Sequence, residues 1–208
     1  MLVGENMIRL NIGCENDYKE GWVNVDFDPR YKVDASFNLN QFPYPFPDNT
    51  FDEILAAGVL EHLDNFYGVM KELHRISKDK CKIYILLNHG SDVTITWGEV
   101  EHKRGFSIHT FGSMWCNQEM WSLFNVLKKR ISFSFKYNFA NAIINPIVNL
   151  SPIIWERLFC HYLPCSDVVY ILEVIKNPAE IQRKARELKE HHDKERKKYD
   201  PLKFIKEI

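Results

Sequence analysis

Short apolar runs alternate with polar turns along the first half of the chain. Runs of strand length, each closed by turn-forming residues, occupy positions 7–12, 22–26, 33–37, 51–57 and 82–87. Before the last run, apolar side chains at steps of three and four predict a helix over 65–77, with Asp64 as its N-cap. Strands that alternate with a helix predict a mainly parallel sheet with crossover connections.

The second half begins with a polar stretch, 88–110, which we predict to be a long loop. Its glycines at 90, 98 and 105 would let it hinge. The pattern then predicts a helix over 114–127 and strands over 131–137 and 167–176. The apolar segment between these strands predicts a helical insertion over 138–166.

The last residues form a strongly charged segment. From Pro178 onward only Ile181, Ala185 and Leu188 make a thin apolar stripe, which is typical of an exposed or partner-binding helix. We therefore divide the chain into a main domain over 1–177 and a charged helical tail over 178–208. The insertion 138–166 and this tail are the candidate surfaces for a homodimer.

Charge and composition narrow the class of protein. A net charge of −1 argues against a protein that holds nucleic acid by bulk charge. No apolar run approaches the roughly 20 residues of a membrane span, and no signal-peptide pattern opens the chain. Five cysteines at irregular spacing indicate packed thiols in a reducing cytoplasm. Cys160, His161 and Cys165 lack a second ligand pair, so we expect no metal site.

Two strand ends carry candidate ligand-binding residues. The first strand ends at Gly13, where the missing Cβ allows the backbone to approach a ligand. The second ends at Asp26, whose carboxylate can accept two hydrogen bonds from ribose hydroxyls. Taken singly, Gly13 is also compatible with an ordinary turn, and Asp26 with a turn cap.

Four segments in order make a more specific pattern: LNIGCE at 10–15, GWVNVD at 21–26, FPDNTFDEI at 46–54 and VLEHL at 59–63. This combination resembles the class I methyltransferases that depend on S-adenosylmethionine (SAM), in the branch with the pattern LNLGCG, GWVNVD, FPDNSFDEI, VLEHL. The resemblance implies a Rossmann-like three-layer α/β sandwich. Its sheet would be mostly parallel with an antiparallel last strand, and here it carries the helical insertion and the C-terminal helix.

The resemblance also implies a SAM site. The turn after the first strand would lie against the methionine part of SAM, and this turn contains Gly13, Cys14 and Glu15. Asp26 would hold the ribose. The adenine would lie beside Asn38 and Leu39, and the sulfonium beside Ala57, Gly58 and Val59.

Three features depart from that family pattern. Glu15 stands where a second glycine is usual, so its bulk or its charge would oppose the carboxylate of SAM. Asn38 replaces a usual Asp, but its amide oxygen can still accept a hydrogen bond from the adenine amine. The link from Gly13 to Trp22 is too short for a full crossover helix.

Candidate bases come from histidines near the predicted ligand edge. His62 follows the fourth strand, and His102 and His109 lie in the 88–110 loop, where Glu101 adjoins His102. A histidine suits removal of an acceptor proton because its pKa lies near the working pH. Each of the three is also compatible with a structural or solvated role.

The resemblance predicts a cytoplasmic SAM-dependent methyltransferase acting on a small or medium-sized acceptor, with a hydroxyl, amine or carboxyl group of a metabolite or sugar. Two alternatives stay open: a macromolecular acceptor, and a non-catalytic SAM-fold protein that binds or scaffolds, which Glu15 favours. An NAD-dependent oxidoreductase is disfavoured because the chain has no G-x-G-x-x-G turn.

Overall fold

A seven-stranded sheet forms the centre of the molecule. The computed structural model describes residues 7–111, 117–134 and 138–198. The strands are β1 (Arg9–Ile12), β2 (Val23–Asp26), β3 (Ala35–Ser36), β4 (Phe51–Ala57), β5 (Ser77–Asn88), β6 (Phe124–Ser132) and β7 (Asp167–Val174).

In the described part of the chain, six helices surround or extend this sheet. They are α1 (Phe66–Ile76), α2 (Val93–Thr96), α3 (Gln118–Trp121), α4 (Asn138–Val148), α5 (Pro152–Leu158) and α6 (Pro178–Lys198). The periodic apolar positions of α1 are the buried ones, Val69, Met70, Leu73 and Ile76. Helices α4 and α5 lie within the predicted insertion.

The strand order is β3-β2-β1-β4-β5-β7-β6. Strands β1 to β5 pair in parallel, whereas β7 runs antiparallel to both β5 and β6. The predicted mostly parallel sheet with an antiparallel last strand is therefore confirmed. The order reverses between β1 and β4, and ligands bind at the carboxyl ends of strands beside such a reversal.

Two local predictions were wrong. Within described residues 117–127, the predicted helix over 114–127 contains only the single turn α3, and residues 124–127 belong to β6. The strand predicted over 131–137 therefore starts earlier than expected, and among its described residues it ends at Ser132. The N-cap of α1 is Asn65 rather than Asp64, because the Asn65 side chain accepts the Gly68 N–H at 2.9 Å. Residues 112–116 and 135–137, where other parts of these predictions fall, lie outside the described residues.

The C-terminal helix α6 packs against α3 through its first half. Leu188 packs on the core, and Lys184 Nζ donates to Asn125 Oδ1 at 2.8 Å and to the Phe124 carbonyl. The domain boundary at 177/178 stays a prediction, and these contacts show that α6 shares a surface with the sheet. Within the described residues, no helix is long and apolar enough to span a membrane.

Candidate functional site

A cleft of about 600 Å³ opens at the carboxyl ends of β1, β2 and β4. The sequence-predicted residues that line it are Gly13, Glu15, Asp26, Asn38, Leu39, Gly58, Val59 and His62. Its volume falls within the range of small-molecule sites in proteins. The cleft therefore lies where the strand order reverses, and it brings together residues that are distant in sequence.

Two glycine turns form the floor of the cleft. Gly13 and Gly58 both have positive φ values, of 63° and 64°, which favour glycine. A Cβ atom at Gly13 would lie 2.4 Å from Val59 Cγ2, so a side chain there would collide with the turn after β4. Position 13 therefore requires glycine for two reasons: the two turns pack closely there, and the backbone has a positive φ.

Asp26 is held with its carboxylate at the cleft wall. Its Oδ2 accepts the Glu15 N–H and its Oδ1 accepts the Asp28 N–H, both at 3.0 Å. Each carboxylate oxygen has about two acceptor positions, so one on each remains for a ligand. The buried side chain is therefore fixed by the backbone and can accept from two neighbouring hydroxyl groups.

Glu15 occupies the turn with a strained backbone. Its φ of 41° lies in the left-handed region, which costs a non-glycine residue about 1–2 kcal/mol. The residue is exposed and belongs to the cleft wall. The position where the family pattern has glycine thus keeps a glycine-like backbone but places a negative charge beside the cleft.

The Asn24 side chain holds the short link between β1 and β2, where a crossover helix is usual. The linking residues 13–22 contain no helix. The buried Asn24 side chain holds this link instead, since its Oδ1 accepts the Lys19 N–H at 2.9 Å and its Nδ2 donates to the Trp22 carbonyl at 2.9 Å. Asp34 accepts the Asn24 N–H at 2.7 Å, and these bonds from Asn24 lower the pKa of the Asp34 carboxyl. This network keeps Asp26 in place.

The other predicted cofactor residues are less exposed to the cleft or already engaged. Asn38 lines the cleft, and its Oδ1 accepts the Asn40 N–H at 2.9 Å, which leaves one acceptor position. Cys14 is buried beneath the turn, and burial raises the pKa of its thiol. Ala57 pairs with Leu86 in the sheet and does not line the cleft.

The three candidate bases occupy different environments. His62 lines the cleft, and its ring has no hydrogen bond to the described residues. It packs against the His102 ring, with ring centroids 4.6 Å apart and the ring planes tilted by 57°. His102 instead uses both ring nitrogens within the protein: Nδ1 lies 3.0 Å from the Ile95 carbonyl oxygen and Nε2 lies 3.2 Å from Asn88 Nδ2. His109 is exposed and does not line the cleft.

Glu61 is a buried carboxylate that the sequence did not single out. It is 0% exposed, and neither of its carboxylate oxygens has a hydrogen-bond partner among the described residues. Burial raises its pKa, and the neighbouring His62 and His102 act in the opposite direction. The Glu61 carbonyl also accepts the Lys103 N–H at 2.8 Å, which fastens the 88–110 loop to the turn after β4.

A second buried acid, Asp167, lies at the same edge because it pairs with Asn88 across β5 and β7. Burial, and then the like charges of Asp92 and Glu61, raise its pKa to about 6. Next to it, His89 Nε2 lies 2.8 Å from Glu156 Oε1, which connects the end of β5 to α5. In the described part of the chain, no three acidic, histidine or cysteine side chains converge as metal ligands.

Comparisons with known proteins agree with this geometry. Residues 24–85 match the family model described as "Methyltransferase domain". The chain is also similar to uncharacterized protein MJ0638 of Methanocaldococcus jannaschii, with 33% identity over 66 residues. The aligned part covers 31% of this chain and 29% of that protein.

Two solved structures share the fold. A SAM-dependent methyltransferase from Archaeoglobus fulgidus has a TM-score of 0.55 at 15% identity, over 80% of this chain and 86% of that one. An S-adenosylmethionine-dependent methyltransferase from Mesorhizobium loti has a TM-score of 0.51 at 10% identity, over 81% and 91%. Residues 24–85 are thus similar to a methyltransferase domain, and the chain shares the fold of these SAM-dependent methyltransferases.

Proposed function

We propose that the chain binds SAM in the cleft and transfers its methyl group to a small or medium-sized acceptor. The observation that carries this proposal is the Asp26 carboxylate, which the backbone fixes at the cleft wall with one free acceptor position on each oxygen. Vicinal ribose hydroxyls are the donors that such a carboxylate fits. The cleft volume and the two glycine turns also fit a nucleoside with an amino-acid substituent.

The remaining cleft residues have separate roles in this proposal. Asn38 and Leu39 border the adenine, and the Gly13 and Gly58 turns allow close backbone approach to the methionine part and the sulfonium. In SAM the methyl group is bonded to a positively charged sulfur. When an acceptor attacks the methyl carbon, the S–CH3 bond would break and the neutral thioether, S-adenosylhomocysteine, would be a good leaving group. The protein then contributes proximity and orientation, which can lower such a barrier by up to about 7–11 kcal/mol.

His62 is the residue we assign as general base. Of the three candidate histidines, it alone lines the cleft with its ring free of hydrogen bonds to described residues. His102 packs against it with a tilted ring and is itself held by Ile95 and Asn88, so it positions the His62 ring. The proton of an acceptor hydroxyl or amine would pass to a nitrogen of His62.

Calorimetric titration with SAM tests the cofactor site directly. We expect Asp26→Asn to weaken SAM binding about tenfold or more, because hydrogen bonds to a charged group contribute ~1.5–3 kcal/mol. Glu20→Gln removes an exposed carboxylate outside the cleft and serves as the matched control. Unchanged affinity in Asp26→Asn, with the fold intact by circular dichroism, would remove Asp26 from the site.

A non-catalytic SAM-fold protein that binds or scaffolds a partner is the second candidate function, and Glu15 favours it. Its negative charge beside the cleft opposes the carboxylate of bound SAM. The two functions differ in turnover, so the chain is incubated with SAM labelled in the methyl group and a pool of metabolites. Label that enters an acceptor supports the enzyme. A chain that SAM does not stabilise and that transfers no label supports the non-catalytic SAM-fold protein.

A further inference from the structure

The insertion between β6 and β7 carries an unusual concentration of exposed apolar side chains. Of the nineteen large apolar residues that are exposed in the described chain, nine lie between positions 139 and 162. Isolated exposed apolar residues are normal on a soluble protein, but a contiguous group marks an interaction surface.

The orientation of α4 is fixed by a row of asparagines at steps of four. Asn149 Oδ1 accepts the Ile131 N–H at 2.9 Å, and its Nδ2 donates to the Ile131 carbonyl at 2.7 Å. Asn145 and Asn141 accept the N–H groups that follow along the same edge of the sheet. These side chains form hydrogen bonds with backbone groups at the free edge of β6 and just after it, so this face of α4 is turned toward the sheet.

The apolar side chains of α4 lie on the opposite face. At 100° per residue, Phe139, Ile143, Ile147 and Leu150 form a stripe about 180° from the asparagine row. Phe139 is 82% exposed and Leu150 is 85% exposed. The helix itself contains no charged residue.

Helix α5 extends this surface with exposed Ile153, Ile154 and Leu158. Tyr162, just after it, is 88% exposed. Among residues 138–166 the only charged side chains are Glu156 and Arg157. Glu156 turns inward to His89 at the end of β5, which seats the insertion on the sheet edge that carries the cleft.

A cationic border adjoins this apolar surface. Lys128, Lys129 and Arg130 are exposed on β6, immediately before the Ile131 that Asn149 clamps. Segments 126–134 and 138–166 together contain no acidic residue except the inward-turned Glu156. The surface is therefore apolar with a positive edge, although the whole chain has a net charge of −1.

We propose that this surface, formed by α4, α5 and the basic run of β6, binds the face of an anionic lipid bilayer. Interfacial helices insert apolar side chains between headgroups, while adjacent Lys and Arg residues attract anionic lipids. A second copy of the chain fits less well. In a twofold dimer the same surface faces itself, which brings the two positive borders together.

Vesicle flotation of the full chain tests the proposal, with vesicles of phosphatidylcholine alone and of phosphatidylcholine mixed with phosphatidylglycerol. We expect binding to the mixed vesicles that weakens as salt is raised. Ile147→Ser/Leu150→Ser should reduce it about tenfold or more, given the transfer free energy of two large side chains. Lys128→Gln/Arg130→Gln should abolish the preference for phosphatidylglycerol.

Met7→Ser/Ile8→Ser is the matched control, since it removes two exposed apolar residues before the amino end of the interior strand β1 and should bind as the parent does. SAM titration of each variant checks the cleft separately from the membrane surface. The proposal is overturned if the parent chain does not float with either kind of vesicle. It is also overturned if sedimentation shows a dimer that Ile147→Ser/Leu150→Ser dissociates while no variant loses vesicle binding.

Discussion

Replacement of Asp167 by Asn should stabilise the protein at neutral pH. Asp167 is buried at the end of the sheet, with 6% of its surface exposed. Burial raises its pKa from 3.8 to about 6, and the like charges of Asp92 and Glu61 add to this. At 1.36 kcal/mol per pKa unit, the ionised form costs the folded state about 3 kcal/mol.

The sign of the pH dependence follows from the raised pKa. Between about pH 4 and pH 6 the folded chain keeps a proton that the unfolded chain has lost, so the free energy of unfolding falls as the pH rises. Above pH 6 Asp167 is ionised in the folded chain as well, so the full cost of its buried charge is present. Asn cannot ionise. We therefore expect the free energy of unfolding of Asp167→Asn to exceed that of the parent by up to about 3 kcal/mol at pH 7.5 and to equal it near pH 4.

Urea unfolding followed by circular dichroism at both pH values measures this difference. Asp193→Asn, on the exposed face of α6, is the control and should leave stability unchanged at either pH. A parent-to-variant difference of the same size at pH 4 and pH 7.5 would refute the reasoning, because the buried charge would then have no part in it. A destabilised variant at pH 7.5 would show that the carboxylate is held by partners in solution.

Three further predictions concern the turn, the base and the tail. Glu15→Gln should tighten SAM binding about fivefold in calorimetry, because it removes a charge that repels the SAM carboxylate. Glu15→Gly should do the same and should also raise the melting temperature, because glycine adopts the left-handed backbone without strain. Equal SAM affinities and melting temperatures in the parent, Glu15→Gln and Glu15→Gly would contradict this prediction. His62→Ala should lower methyl transfer by ~10²–10⁴-fold with SAM affinity unchanged, whereas His102→Ala should have a smaller effect. Full turnover in His62→Ala would exclude it as the base. Burial lowers the pKa of Lys184 to about 8, so the parent should gain stability as the pH rises from 8 to 10.5. Lys184→Met should lack that gain in urea melts.

The central parallel strands were predictable because no residue of β1, β2 or β4 is exposed. The strands β1, β2 and β4 consist of compact apolar runs that end in glycine or acidic residues, and these signals are local. Strand β6 was missed for the opposite reason. Residues 126–130 are all exposed, so it lacks the alternating burial of a strand. Met120, Phe124 and Leu127 are spaced as on a helix, which is why the pattern predicted one.

The cleft was predictable where a residue follows a recognisable strand, as Asp26 and Gly58 do. The environments of Glu61 and Asp167 were not, because they depend on contacts that are distant in sequence. Asp167 reaches the cleft edge only through antiparallel pairing of β7 with β5. The asparagine row of α4 did leave a signal, since N-x-x-x-N-x-x-x-N at 141–149 marks one polar stripe on an apolar helix.

The structure also changes the interpretation of the 88–110 loop. Its glycines suggested a hinge, but Gly90 and Gly105 lie against each other: a Cβ at Gly105 would stand 2.9 Å from Gly90 Cα. The Gly90 N–H donates to the Phe106 carbonyl at 2.8 Å, which joins the two ends of the loop. These glycines therefore allow two backbone segments to pack closely. The loop is also fastened to Glu61 through the Lys103 N–H, and its residues Val100, Glu101 and Lys103 line the cleft, so the loop forms part of the cleft wall.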